Sequence, residues 1–335
     1  GTAGEELNPP GRVLNDGSGQ GRTLKQLCRK GIPARLRGDV WFEISGASHR
    51  KRESEARGVF YSDLSETHTR PAHEPEDAGD DDGNADDANH VDQTPPELQY
   101  HKQIELDVGR TFPEHACFQS KEGQRKLYRV LLAISRHQEL SGYCQSMNFI
   151  AGFLLIVLNM DEEKAFWVML AMVKDKVQKD TWSSRLSGCI LEMGTLGILL
   201  GKKLPDVAKH LTNIGCDVSY FATDWFLCLF CKTLPSETVA RVWDSLLFEG
   251  SKVLLRVGLA LVKQNQRKLL ECRNPGDVLV VLKEAQGSAH DGKTLMDAAF
   301  NRIGPLPSAK LTKYRTRITQ RTNEQASTSR RLFGK

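Results

Sequence analysis

No apolar run in this 335-residue sequence reaches the ~20 residues that a bilayer-spanning helix needs. The longest, Met147 to Met160, is interrupted by Asn148 and Asn159 and reads as a buried helix. The opening residues, GTAGEEL, hold no apolar core of the kind a secretory signal requires. A cysteine framework is missing too. Eight cysteines are scattered, and Cys228 and Cys231 form a C-x-x-C inside the apolar run WFLCLFC, with no second pair at zinc-ribbon spacing. That excludes a disulfide scaffold and a zinc ribbon, and buried free thiols suit a reducing, cytoplasmic setting. A large charge of one sign is also lacking. The formal net charge is +4, too small to argue for nucleic acid, and no nucleic-acid partner is expected.

The charge that is present is unevenly placed. Residues 74–92, EPEDAGDDDGNADDANHVD, carry acids and no Lys or Arg. So few apolar residues cannot offset the entropy of ordering, and the segment reads as a disordered loop: a tolerated insertion or an acidic interaction segment. After Pro307 the bias reverses, with Lys310, Lys313, Arg315, Arg317, Arg321, Arg330, Arg331 and Lys335 against the single acid Glu324. A solvated end is expected there, with peripheral contact to anionic lipid or to an acidic partner as the alternative.

Convincing strands are scarce, and no βαβ rhythm is found. Helical signals dominate instead, so the expected class is all-α. Thr94-Pro95-Pro96-Glu97 forms an N-terminal capping box, and the helix it opens should run to about Thr111, because Pro113 pushes Phe112 out of α space. Ser120 should cap a helix whose face is Leu127, Val130, Leu131 and Ile134. The short link SGYCQ leads to the buried helix from about Gln145 to Asn159, and EEKAFWVMLAMV follows Asp161 as another. DWFLCLFCKTL, SETVARVWDSLLFEG and KVLLRVGLALVKQNQRKLLE each read as one helix.

GSAHDGKT, Gly287 to Thr294, matches the phosphate-binding pattern G-x-x-x-x-G-K-[ST]. A working loop of that kind needs a strand leading into it. Here Val278, Leu282 and Ala285 fall on a helical stripe, Asn274 and Pro275 give that helix a start, Gly287 ends it, and Asp291 can cap the next. A loop between two helices is expected, with Lys293 facing solvent.

Two other segments carry candidate phosphoryl chemistry. In IELDVGRTFP, Ile104, Asp107 and Thr111 share a helix face and Arg110 lies one turn after Asp107, at the helix end, where the dipole favours a cation. The pair is either a surface ion pair that caps a helix or an outward planar charge held by its acid. In GYCQSMN, Gln145 opens a strongly apolar helix and can present its amide to a water. Cys144 has no His at a fixed spacing, which argues against a thiol nucleophile.

Together these blocks resemble the TBC domain of Rab GTPase-activating proteins. GIPARLRGDVW, with Arg37 and Trp41, is similar to that family's opening I-P-x-x-x-R-x-x-x-W. Ile104, Asp107, Arg110 and Thr111 match I-x-x-D-x-x-R-T, Tyr143 and Gln145 match Y-x-Q with MNFIAG continuing it, and Trp225 to Gly250 resembles the late W-F-L…LP…R-x-W-D…F-E-G block. The resemblance covers roughly residues 25–305 and implies a V-shaped, multi-helix domain of two helical subdomains. On that reading residues 1–20 are disordered, 21–180 form the N-terminal half (with 70–95 as the acidic loop), 181–308 the C-terminal half and 309–335 a basic tail.

The resemblance further implies action in trans on GTP-bound Rab, peripheral to endomembranes. The GTP and Mg²⁺ belong to the Rab partner, so no cofactor and no independent hydrolase activity are expected of this chain. Arg110 would be an arginine finger and Gln145 a glutamine finger. Asp107 would position the arginine, and Arg37 and Trp41 would help to build the groove and its contacts. Tyr143, Thr111 and Asn148 would support the site or contact the partner. A catalytically weak Rab-binding adaptor of the same fold is the alternative. Ser146 stands where the family usually has Gly; a small side chain should fit there, with crowding of the approaching Rab switch region as the alternative.

Overall fold

The computed structural model describes residues 19–66, 96–137, 140 and 142–333. The expected N-terminal disorder up to residue 18, the acidic loop and the Thr94-Pro95 part of the capping box lie outside the described residues. Among those described there is no strand, and the molecule is all-α. The first part holds α1 (Gly19–Lys30), α2 (Ala34–Ile44), α3 (Ala47–Ala56), α4 (Tyr61–Ser65), α5 (Pro96–Gly109), α6 (Ala116–Gln119), α7 (Lys121–Arg136), α8 (Met147–Val157) and α9 (Glu162–Ala171), the last continued by a π-helical turn, Met172–Lys176. The second part holds α10 (Ser187–Lys203), α11 (Pro205–Asn213), α12 (Ser219–Leu227), α13 (Ser236–Glu249), α14 (Lys252–Gln264), α15 (Gln266–Glu271), α16 (Pro275–Gly287) and α17 (Gly292–Asp297). A second π turn, Ala298–Arg302, then leads to α18 (Ser308–Phe333).

Local chemistry sets many of these ends. The Ser120 hydroxyl accepts from the Gly123 N–H at 3.0 Å and starts α7 as expected. Asp161 does the same for α9, accepting from Lys164 N–H at 3.0 Å. The face of α7 predicted from its spacing, Leu127, Val130, Leu131 and Ile134, is fully buried. Burying such a side chain contributes about 1.5–3 kcal/mol. α8 lies in the interior, and Trp243 of α13 meets Phe153 edge-on at 4.9 Å and Trp41 at 5.9 Å.

Helix α13 joins the two parts, since it packs on α1, α2 and the first π turn as well as on α14 and α17. The join is polar at its centre. Asp244 is fully buried and accepts from Trp41 Nε1 at 2.8 Å, Ile32 N–H at 2.9 Å and Arg37 Nε at 3.2 Å. Arg37 also forks onto Glu237 at 2.7 and 2.8 Å. A buried carboxylate without these donors would cost several kcal/mol.

Three expectations need correction. WFLCLFCKTL is not one helix: α12 ends at Leu227, and Leu229 and Phe230 take left-handed conformations, φ +48° and +67°. The turn is held because Trp243 Nε1 donates to Leu229 O at 2.9 Å and Trp225 stacks on Phe230. The segment after Ser251 is two helices, broken at Asn265, whose amide donates to Leu261 O at 2.8 Å and competes with the backbone ladder. The basic end is not merely solvated. It forms α18, which lays Leu311, Tyr314, Arg315 and Ile318 against α10, a helical i, i+3, i+4, i+7 stripe.

GSAHDGKT does join two helices. Asn274 caps α16, Asp291 accepts from Thr294 N–H at 3.1 Å to cap α17, and Lys293 is exposed. Gly292 packs against α13, where a Cβ would lie 3.2–3.3 Å from Arg241 and Thr238. That glycine lets α17 approach α13 closely.

Candidate functional site

Arg110 and Gln145 sit in two turns that a network of buried polar groups ties together. α5 ends at Gly109, two residues after Asp107, and Arg110 follows in the turn with its N–H on Asp107 O at 3.3 Å. Pro113 denies Phe112 right-handed helical space. Phe112 takes φ +45°, so the chain turns sharply just past the arginine. Gly152 of α8 allows that turn to come close, since a Cβ there would stand 2.8 Å from the Thr111 methyl.

Asp107 is the centre of the network, and its side chain is fully buried. Its carboxylate accepts from an Arg110 Nη2 hydrogen, from the Tyr143 hydroxyl and, at 3.1 Å, from Gln103 Nε2. The Arg110 side chain is 51% exposed, so the guanidinium is anchored at one nitrogen and open to solvent elsewhere. Burial and the Asp107 carboxylate push the Tyr143 pKa far up, so its hydroxyl stays a donor at any working pH.

A second set of bonds fixes Gln145. The side chain of Asn148 is fully buried at the start of α8. Its Oδ1 accepts from Ser146 N–H at 3.1 Å, and its Nδ2 donates to Thr111 Oγ1 at 2.7 Å. The Thr111 hydroxyl in turn donates to Asp107 O at 2.6 Å. Asn148 therefore bridges the arginine turn and the glutamine turn. Tyr143 does so as well, from two residues before Gln145. Gln145 itself is exposed, and α8 begins two residues later, at Met147, instead of at the glutamine.

Ser146 has φ +95°, a left-handed conformation that favours glycine. The residue is buried, and Oγ accepts from Trp182 Nε1 at 3.1 Å. That conformation carries a backbone cost, roughly 1–2 kcal/mol for a non-glycine residue there.

The resemblance has Arg37 and Trp41 helping to build the groove and its contacts. Trp41 is fully buried and Arg37 nearly so, both turned onto α13. Both brace the framework through Asp244, and Arg37 does so through Glu237 as well. Thr111 and Asn148 are likewise buried and act within the chain. Two contributors were not anticipated. Gln103 lies four residues before Asp107, a spacing visible in the sequence. Trp182 comes from a distant loop and left no local signal.

All eight cysteines are free, and burial raises the pKa of Cys144 and pushes that of Cys228 up to about 12. Among the described residues no cluster of His, Cys, Asp and Glu is suited to a metal ion, and no helix is long and apolar enough to cross a membrane.

Residues 34–270 match the Rab-GTPase-TBC domain family. Growth hormone-regulated TBC protein 1 of Xenopus tropicalis is 35% identical over 300 residues, covering 87% of this chain and 78% of that protein. The crystal structure of the Chlamydomonas flagellar RabGAP TBC domain is 37% identical, with a TM-score of 0.70 over 88% of this chain and 90% of that one. The Ypt/Rab-GAP domain of Gyp1p, 20% identical, shares the fold with a TM-score of 0.63, covering 84% of this chain and 92% of that one. The chain belongs to the Rab-GTPase-TBC domain family.

Proposed function

We propose that this chain accelerates GTP hydrolysis by a GTP-bound Rab-family GTPase, presenting Arg110 and Gln145 in trans. The observation that carries the reading is the buried Asp107–Tyr143–Asn148–Thr111 network, which holds one exposed guanidinium and one exposed carboxamide on adjacent turns.

The chemistry needs those two groups. GTP hydrolysis passes through a loose transition state with charge on the γ-phosphoryl and leaving oxygens. A guanidinium neutralises that charge, worth about 10³–10⁵ in rate or roughly 4–7 kcal/mol. Lysine lacks the planar fork that reaches two oxygens at once. The Gln145 carbonyl can accept from the attacking water while its NH₂ donates to a phosphate oxygen, which orients the nucleophile without acting as a base. The partner carries the nucleotide and Mg²⁺. The reading places the chain at the cytoplasmic face of endomembranes.

A hydrolysis screen against a panel of Rab proteins tests it. Arg110→Ala and Gln145→Ala should each lower stimulated hydrolysis by orders of magnitude, with helical circular dichroism unchanged. Full activity of both variants on a responsive Rab would refute the two-finger assignment.

A further inference from the structure

A second concave site lies at the far end of α10 from the glutamine turn. α10 starts beside that turn's supporting loop, and its 17 residues carry the chain about 25 Å away at ~1.5 Å per residue. There the last turn of α10, the Pro305–Pro307 link and the first two turns of α18 enclose a cleft of ≈ 420 Å³. Its floor is apolar, with Leu199, Leu306 and Leu311 almost fully buried. Its rim carries Lys202, Lys203 and Lys310, with Tyr314 between them.

The three ammoniums are not neutralised. No carboxylate lines the cleft, and among the described residues none of the three lysines has a carboxylate at ion-pair distance. Lys203 donates only to Pro305 O at 3.3 Å, and Lys202 stands 5.7 Å from the Tyr314 ring centroid. The helix dipole explains cations in the last turn of α10. It does not explain Lys310, which sits in the first turn of α18, where the dipole opposes it and where no acid compensates. Like charges gathered around an apolar-floored cleft focus a positive potential into it. The volume suits a small ligand, and lysines are point-charge partners for phosphate.

We propose that this cleft binds a multiply phosphorylated headgroup of a membrane lipid. The choice of lipid over a free phosphate ester rests on α18. Beyond the cleft rim the helix turns Arg315 and Ile318 inward, with Arg315 on Glu192 at 2.5 Å and on Ser251 at 3.0 Å. Lys313, Arg317 and Arg321 remain exposed and continue outward from Lys310. That row, about 16 Å long at ~1.5 Å per residue, matches a sheet of anionic headgroups. A soluble ester would leave it unused.

The test uses the full chain and vesicles of phosphatidylcholine alone, with phosphatidylserine, or with phosphatidylinositol 4,5-bisphosphate at matched total charge. Binding should be strongest to the bisphosphate vesicles and should be displaced by soluble inositol trisphosphate. Each cation at an anionic surface is worth roughly fivefold in partitioning, so Lys202→Ala/Lys203→Ala/Lys310→Ala should weaken vesicle binding about 100-fold. Lys313→Ala/Arg317→Ala/Arg321→Ala should weaken vesicle binding but leave inositol trisphosphate affinity unchanged. Equal binding to phosphatidylserine and bisphosphate vesicles, insensitive to the cleft lysines, overturns the site. Cleft-dependent capture of inositol trisphosphate without vesicle binding overturns the lipid assignment. Stimulated hydrolysis of a soluble GTPase should be the same in all these variants, so failure here is distinguishable from failure of the two-finger reading.

Discussion

Replacing Asp107 by Asn separates the charge that holds Arg110 from the shape of the site. The carboxylate takes three donors on two oxygens: Arg110 and Gln103 share Oδ1, and Tyr143 uses Oδ2. An asparagine satisfies them best with its carbonyl toward Arg110 and Gln103 and its NH₂ toward the Tyr143 oxygen, which then accepts. Packing is preserved, the charge is lost, and the Tyr143 hydroxyl changes from donor to acceptor. The Arg110 side chain is 51% exposed, so the ion pair itself adds only about 0–1 kcal/mol to stability. Its larger effect is on orientation. A free arginine holds ~2 kcal/mol of rotamer entropy, and part of that must be spent at each engagement once the anchor is gone. A loss of about 1–2 kcal/mol is a fall of roughly 5- to 30-fold in stimulated kcat/KM.

Asp107→Ala is a different perturbation. It leaves Tyr143 and Gln103 without their buried acceptor, and unfolding free energy should fall by about 2–4 kcal/mol besides. Single-turnover hydrolysis with excess GTP-loaded Rab, together with urea unfolding of each variant, measures both quantities. In a double-mutant cycle, Asp107→Asn added to Arg110→Ala should cost nothing further. Full activity of Asp107→Asn, or a further loss in the double variant, would show that Asp107 does not act through the arginine.

Ser146→Gly relieves left-handed strain of roughly 1–2 kcal/mol but gives up a hydrogen bond of about 1 kcal/mol and adds unfolded-state entropy, so stability should change by under ~1 kcal/mol. Stimulated hydrolysis should hold within about twofold, because the hydroxyl faces Trp182; a tenfold gain would mean that the serine does crowd the partner. Burial raises the pKa of Glu249, but Arg29, Lys25 and Lys252 outweigh it and leave the group lowered from 4.5. Its stabilising contribution is therefore present above pH 4.5 and is lost as pH falls through the lowered folded value. Thermal melts from pH 7 downward should show a steep acid limb that is shallower in Glu249→Gln. Titrating the isolated chain with labelled GTP or ATP should show no tight Mg²⁺-dependent binding, and such binding lost in Lys293→Ala would reinstate GSAHDGKT as a phosphate loop.

The parts legible in the sequence are those whose causes are local. A 3.6-residue spacing gave the buried face of α7, and single capping residues, Ser120, Asp161 and Asn274, marked helix starts. The same logic read GSAHDGKT as two caps around a loop. It failed where a distant side chain decides. Nothing in WFLCLFCKTL announces left-handed backbone at Leu229 and Phe230, because the hydrogen bond that holds the turn comes from Trp243. α18 went unread for a different reason. Its stripe of Leu311, Tyr314, Arg315 and Ile318 has the right period, but a basic composition hides three apolar residues and one arginine whose partner, Glu192, lies 123 positions away. The site divides in the same way. The motif residues and, through the resemblance, the two fingers were visible, yet the buried bonds that hold them were not. Burial turns Arg37, Trp41, Thr111 and Asn148 into internal supports, while exposure leaves Arg110 and Gln145 facing out. A linear motif records which residues a site needs, and only the fold separates those that meet a partner from those that hold them in place.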